Sequence, residues 1–253
     1  MSFDLRLLLA LTTAHMLADF VFQSDKDVAT KKRMGVQVKH ATIVAGLSCL
    51  LAGDWRAWPV SAVIGLTHFL IDRVKVELKQ NGLRVFLLDQ AAHLVVIAGV
   101  ARLSPAVFPV DSQWVSLWGA AFTRTLVVAA GIVLTVKVGG VVVGILVKPY
   151  LDDLTNRQTN EQLVANSKEA QRGLAKGGRV IGELERGLIF FLVMIGKPEA
   201  VGFLVAAKSI FRFGELKDRA NRAEAEYITI GTMMSFAWGL AAAWATWRLY
   251  RGM

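Results

Sequence analysis

Apolar runs close to membrane-spanning length constrain this sequence more than any other feature. A bilayer core of roughly 30 Å is crossed by about 20 apolar helical residues, and backbone exposed to lipid must be hydrogen-bonded within its own helix. Hydrophobic residues make up 54% of the chain, and its mean hydropathy is +0.46. We therefore predict an all-α fold, a polytopic transmembrane helical bundle with about seven or eight membrane segments. The predicted segments are 5–22, 40–52, 60–76, 85–103, 114–147, 184–195, 200–213 and 227–249.

One long polar stretch, residues 152–178, interrupts these runs and predicts a cytoplasmic linker that is partly helical. The sequence thus divides into a five-helix transmembrane domain (1–150), a linker (151–180) and a C-terminal membrane hairpin with a final helix (181–253). Lysine and arginine are concentrated in the loops after the first, third and fifth segments. The positive-inside rule then predicts a multi-pass protein with its N-terminus outside.

The net charge of +9 fits loops that face anionic lipid. No basic helix or base-stacking motif accompanies this charge, so we expect membrane lipid and not nucleic acid as the partner.

All four histidines of the chain lie between residues 15 and 93, and three of them have an aspartate four residues away. The pairs are His15 with Asp19, His68 with Asp72, and Asp89 with His93, and the fourth histidine is His40. A spacing of four places both side chains on the same face of a helix. With the orientation above, every group falls in the cytoplasmic half of the membrane, so we expect all seven side chains to converge.

An ionised aspartate at the bilayer centre costs about 2.5–3.5 kcal/mol even on lenient scales. Bound divalent cations would offset this cost, and mixed imidazole and carboxylate ligands suit zinc, with manganese or iron as alternatives. Seven ligand-type side chains exceed the needs of one tetrahedral ion. Either two ions are bound, or one ion is bound and some aspartates orient histidines. A metal-free proton relay and purely structural polar contacts between helices are the alternatives.

The C-terminal hairpin carries a second polar group, in which Arg186, Lys208 and Arg212 are the principal cations. One interpretation is a basic pocket for a phosphate or lipid headgroup. The other is that Lys208 and Arg212 extend to the headgroups or pair with Glu185. Gly139 and Gly140 in the fifth segment predict close helix packing.

The chain resembles a bacterial family of integral membrane proteins known as domain of unknown function 3307. The stretches that carry this resemblance are HMLADFVFQ (15–23), HFLID (68–72) and LDQAAH (88–93), together with 178–186, 202–213 and 226–232. The resemblance implies a bacterial inner-membrane location but no activity. More loosely, the N-terminal half resembles membrane-bound metal-dependent hydrolases, which place His and Asp on short apolar helices.

We expect a metal-dependent hydrolase acting on a lipid-linked or anionic substrate at the cytoplasmic leaflet. A bound metal lowers the pKa of its water to about 7. Asp19, Asp72 or Asp89 would then serve as the catalytic base, and the basic pocket would hold the substrate headgroup. A cation or metal transporter that uses the same ligands, and a scaffold with a structural metal, are the alternative functions.

Overall fold

The computed structural model describes residues 4–78, 82–107, 109–165, 177–212 and 222–253, and within 154–165, 211–212 and 222–225 only the backbone. Every regular element in these ranges is helical, which confirms the all-α prediction. Helices α1–α7 are Leu5–Phe20, Asp25–Ala29, Met34–Ala52, Trp58–Leu78, Leu83–Val107, Gln113–Trp118 and Ala120–Ile132. A π-helix, Val133–Val138, leads to α8–α11, which are Gly139–Ala165, Gly177–Met194, Val201–Arg212 and Arg222–Arg251.

Four helical stretches in the described ranges are long and apolar enough to cross a membrane. They are Met34–Ala52, Leu83–Val107, Ala120–Asp153 and Glu226–Arg251. This supports membrane association, whereas the predicted total of seven or eight segments stays a prediction. Helices α1 and α10 contain 16 and 12 residues, which corresponds to lengths of about 24 and 18 Å, shorter than a bilayer core.

Several helix boundaries differ from the sequence prediction; helix α9, for example, begins at Gly177 instead of residue 184. Helix α3 begins at Met34 instead of residue 40, because Gln37 and Lys39 continue the helix despite being polar, so His40 lies inside it. The predicted fifth segment is broken at Gly119, whose φ of +52° and ψ of −132° lie outside helical space and separate α6 from α7.

The chain forms two compact units. Unit 1 comprises residues 1–133 and 249–253, and unit 2 comprises residues 134–248. The predicted boundary after residue 150 lies inside α8, and residues 166–176 of the predicted linker lie outside the described ranges. The division into 1–150, 151–180 and 181–253 therefore stays a prediction.

In unit 1, α1 packs against α3, α5 and α7, and α4 packs between α3 and α5. The apolar core includes Leu11, Val44, Ile64 and Ile97, one from each of the four main helices. Asp4 caps the start of α1 by accepting hydrogen bonds from two backbone amides, and Gly53, with φ +71°, ends α3. These signals fix the register of the helices that carry the His/Asp residues.

Helices α3 and α4 come into unusually close contact at Gly65. A β-carbon at this position would lie 2.8 Å from the Ala45 β-carbon and 3.2 Å from the Ala41 carbonyl oxygen. Only glycine allows the two backbones to approach this closely. His40 precedes Ala41 and His68 follows Gly65 by three residues, so the same contact brings these two histidines together.

Candidate metal centre

The structure brings together all seven residues that the sequence singled out in unit 1. They lie at one end of the helix bundle: near the end of α1, early in α3, in the second half of α4 and early in α5. All four histidines, Asp72 and Asp89 are buried, and the Asp19 side chain is only 9% exposed. The ring centroid of His68 lies 4.1 Å from that of His93 and 4.9 Å from that of His40. The predicted convergence is therefore confirmed.

Three ligand-type atoms form a nearly equilateral triangle at the centre of the group. The Nε2 atoms of His40 and His68 are 3.0 Å apart, and they lie 3.2 and 3.4 Å from the Asp19 Oδ1 atom. A zinc ion with ligands at about 2.0–2.1 Å has tetrahedral edges of about 3.3 Å. The edges of the triangle match this spacing, so one face of a tetrahedral site is preformed.

Hydrogen bonding alone does not satisfy this triangle. Each imidazole Nε2 carries at most one proton, and Asp19 is an acceptor when ionised. If both Nε2 atoms are protonated, two N–H groups face each other at 3.0 Å. If only one is protonated, its single proton can satisfy one contact, and two acceptors still face each other. If neither is protonated, three lone pairs converge. A cation at the centre satisfies all three atoms at once.

Other buried polar atoms in the group have no hydrogen-bond partner among the described residues. They are His15 Nδ1, His93 Nε2 and Asp89 Oδ1. His93 Nε2 lies 3.7 Å from Asp89 Oδ1, and His15 Nδ1 lies 3.7 Å from Asp19 Oδ1. Unpaired polar atoms are uncommon in protein interiors and often indicate a bound ion or water. Both distances are too long for hydrogen bonds but allow an ion to lie between the atoms.

A hydrogen-bonded chain orients His15. Gln90 donates its amide to Asp89 Oδ2 at 3.2 Å, so its carbonyl oxygen faces His15 Nε2 at 3.3 Å. That oxygen can only accept, which requires His15 Nε2 to carry the proton and leaves the Nδ1 lone pair directed toward Asp19. The arrangement fixes the orientation of the His15 ring and leaves its Nδ1 atom as an acceptor beside the triangle.

Two lysines contact the carboxylates of this group. Lys31 Nζ lies 2.9 Å from Asp72 Oδ1, and Lys75 Nζ lies 2.6 Å from Asp89 Oδ2. Sequence reasoning counted both lysines only as loop charges and missed this role. No pattern in the sequence pointed to either contact, since each lysine pairs with an aspartate of a different segment.

A small cavity adjoins the group. Its volume is about 10 Å³, which is roughly the space that one water molecule needs. Its polar lining consists of His15, His68, His93 and Thr67, and its apolar lining of Ile64, Val96 and Ile97.

The proposed headgroup residues lie in unit 2. Arg186 is buried in α9, where Nε and Nη2 donate to the Val136 carbonyl oxygen and Nη1 donates to Ser235. Lys208 pairs with Glu185 at 2.6 Å, as the alternative interpretation expected. The Arg212 side chain lies outside the described residues. A headgroup role for these three residues stays a prediction.

Three glycines make room for the Arg186 side chain. A β-carbon at Gly140 or Gly182 would lie 3.0 or 3.1 Å from a guanidinium nitrogen, and one at Gly139 would lie 3.0 Å from Arg186 Cδ. The close packing predicted at Gly139 and Gly140 is therefore packing against Arg186, and at Gly139 also against Trp238.

Comparison with known proteins gives one match. Residues 7–122 match the model of a family described as "Protein of unknown function (DUF3307)". Over these residues the chain is similar to that family. The matched segment contains all seven His and Asp residues of the centre together with Lys31 and Lys75. The C-terminal stretches that resemble the family lie outside the matched range. No curated protein and no solved structure matches the chain.

Proposed function

We propose that this protein is a membrane-embedded metal protein that binds a divalent transition metal, with zinc the best fit, at Asp19, His40 and His68. The observation that carries the proposal is the triangle of three buried ligand atoms with edges of 3.0–3.4 Å. Its chemistry, two imidazoles and one carboxylate, suits zinc, manganese and iron.

We further propose that the metal supports hydrolysis of an anionic or lipid-linked substrate. Three protein ligands leave a fourth position for water. A cavity with about the volume of one water molecule lies against one of these ligands, His68. When bound, the metal would supply a hydroxide-like water at neutral pH. Asp72 and Asp89 are the candidates for the base: Asp72 Oδ2 lies 3.6 Å from His68 Nε2, and Asp89 Oδ1 is buried with no hydrogen-bond partner among the described residues.

Access is best from the end of unit 1 that carries Lys31 and Lys75. Their side chains are 16% and 31% exposed, whereas the histidines behind them are buried. The opposite side of the centre is closed by the apolar core around Leu11, Val44 and Ile64. A substrate would therefore approach on the lysine side, which the positive-inside rule assigns to the cytoplasmic leaflet and inner membrane face.

The experiment is metal analysis of purified protein combined with a screen of lipid phosphates and phosphoesters. We expect near-stoichiometric metal and a hydrolysis that chelator abolishes and added metal restores. The matched variant is Asp19→Asn, which should lose both metal and activity. Metal binding without hydrolysis of any anionic lipid would contradict the hydrolase and leave the metal centre intact.

Transport is the second candidate, and two observations favour it. Ser48 and Ser61 are buried in α3 and α4, about 11–12 Å along the helices from His40 and His68. At the far end of unit 1 lies a cavity of about 220 Å³ whose lining includes Asp4 and Asp111. Metal uptake into proteoliposomes would distinguish the two functions, since a hydrolase should give no metal-specific flux.

A further inference from the structure

Asp72 lies between two sets of ligand atoms in the centre. Its Oδ2 atom faces the central triangle, 3.6 Å from His68 Nε2 and 3.9 Å from His40 Nε2. Its Oδ1 atom lies on the other side, 4.0 Å from His93 Nε2. A carboxylate placed in this way can bridge two ions, as in sites where two metals lie about 3.5–4 Å apart.

The second set consists of Asp72, Asp89 and His93. One ligand atom from each lies within 4.8 Å of the other two. Asp89 Oδ1 and His93 Nε2, 3.7 Å apart, are both buried without a hydrogen-bond partner among the described residues. By donor type and spacing, this set is a second cation position next to the first.

The lysines bind at this second position and not at the first. Lys31 Nζ contacts Asp72 Oδ1, the oxygen that faces His93, and Lys75 Nζ contacts Asp89. Asp19, which belongs to the first position, has imidazoles but no lysine within 4 Å among the described residues. Two ammonium groups therefore already neutralise the two carboxylates of the second set.

The charge of the centre leads to the same conclusion. Three carboxylates and two ammonium groups leave one net negative charge when the imidazoles are neutral. One divalent ion changes this to one positive charge, whereas two ions would leave three positive charges in a buried site. Uncompensated charge in such an environment is costly.

We propose that Lys31 and Lys75 substitute for a second metal ion, so that the protein binds one divalent ion although its side chains outline more than one position. This proposal rests on the proposed metal centre. It adds that one ion is bound per chain, because the two ammonium groups already neutralise the carboxylates of the second set. It further assigns Asp72, Asp89 and His93 as a latent metal site that the two lysines keep closed.

A hydrogen bond from helix α3 fixes the backbone position of Lys31. Gln37, buried in α3, donates its amide to the Lys31 carbonyl oxygen at 2.8 Å. The segment before α3 is thereby held over the centre, and the ammonium group is directed at Asp72. This hydrogen bond restricts the backbone of Lys31, and so it limits where the ammonium group can lie.

The test compares metal stoichiometry in the wild type and in Lys31→Met/Lys75→Met. Methionine is an unbranched side chain only one atom shorter than lysine, and it carries no charge. Each protein is loaded with Mn²⁺, freed of excess ion, and measured by elemental analysis and electron paramagnetic resonance. We expect one ion with a single-ion signal in the wild type, and two ions with a magnetically coupled signal in the double variant.

Two control variants show whether a change in metal stoichiometry comes from the lost charges at the centre or from substitution of any lysine. Lys31→Arg/Lys75→Arg keeps the charges and should still bind one ion. Lys39→Met removes an exposed lysine that pairs with Asp27 outside the centre, at 2.9 Å, and should also bind one ion. If the double methionine variant does not fold, Lys75→Met alone serves, because the Lys75 side chain is the more exposed of the two.

The possible outcomes are distinct. Two ions in the wild type, or one ion in both wild type and methionine variants, would overturn the lysine substitution and leave the metal centre standing. No ion in any of the proteins would overturn the metal centre itself, and with it this inference.

Discussion

The substitution Asp19→Asn tests the assignment of the first metal position most sharply. Asp19 Oδ1 is the one atom of the central triangle that carries a full negative charge, and it lies within 3.4 Å of both His40 and His68. Asparagine has nearly the same shape but binds a divalent cation much more weakly. The change therefore removes a ligand with little change in packing.

The expected magnitude follows from the geometry. Loss of residues that only orient a ligand typically weakens metal binding by about 10–100-fold. Loss of a charged ligand should exceed this, and we expect about 1,000-fold, or roughly 4 kcal/mol. At a free metal concentration of about 1,000 times the wild-type dissociation constant, bound metal adds about 4 kcal/mol to the free energy of unfolding of the wild type. In Asp19→Asn the same concentration adds only about 0.4 kcal/mol.

Without metal, the same substitution should have the opposite effect. A buried ionised aspartate costs about 2.5–3.5 kcal/mol, and hydrogen bonds to a charged group return about 1.5–3 kcal/mol. The neutral asparagine avoids this cost and still bonds to an imidazole. We expect the metal-free variant to be more stable than the metal-free wild type by about 1 kcal/mol.

The assay is thermal unfolding in detergent with and without added Zn²⁺, with Asp89→Asn as the matched comparison. Asp89 pairs with Lys75 and lies outside the triangle, so its variant should keep most of the stabilisation by zinc. An Asp19→Asn protein stabilised by zinc as strongly as the wild type would refute the assignment.

Three further predictions concern other parts of the chain. Gly65→Ala should separate α3 and α4 and weaken metal binding by about 10-fold or more, measured by zinc titration, because its β-carbon would clash with Ala45. Arg186→Lys should destabilise the protein by about 3 kcal/mol in thermal unfolding, since lysine cannot reproduce the forked hydrogen bonds. Hydrogen bonds from Lys39 and Ser24 lower the pKa of Asp27 from 3.8 to about 2. The contribution of ionised Asp27 to α2 should therefore persist above about pH 4 and disappear as the pH falls through about 2, as measured by amide exchange.

Each of these predictions has a control. Gly46→Ala is the control for Gly65→Ala, because a β-carbon added at Gly46 would have no atom within 4 Å, and it should leave metal binding unchanged. Equal losses in both variants would contradict the packing argument. An Arg186→Lys protein as stable as the wild type would show that the guanidinium bonds do not matter. Lys39→Met should raise the pKa of Asp27 toward 3.8, and an unchanged value would contradict the stated cause.

The sequence predicted the metal-type residues well, because local rules govern them. A spacing of four on a helix is sufficient to place His15 with Asp19, or His68 with Asp72, on one face. Loop charges then predicted that all the groups lie in the same half of the membrane, and the structure brings them together at one end of the helix bundle. The all-helical class followed from the same apolar runs.

Features that depend on packing between distant parts of the chain were not predictable. Lys31 lies in the polar segment between α2 and α3 and Lys75 lies near the end of α4, and only the folded arrangement shows that they reach Asp72 and Asp89. Gly65 gives no sign in the sequence of its contact with α3. No hydrophobic pattern in the sequence marks the π-helix at Val133–Val138, yet the Val136 carbonyl oxygen within it accepts hydrogen bonds from Arg186.

The most direct test of the central claim is the metal content of the wild-type protein, purified without chelator and measured by elemental analysis together with His40→Ala/His68→Ala. We predict close to one divalent transition-metal ion per chain in the wild type and almost none in the double variant. A wild-type protein that contains no metal and binds none when Zn²⁺, Mn²⁺ or Fe²⁺ is supplied would contradict the account.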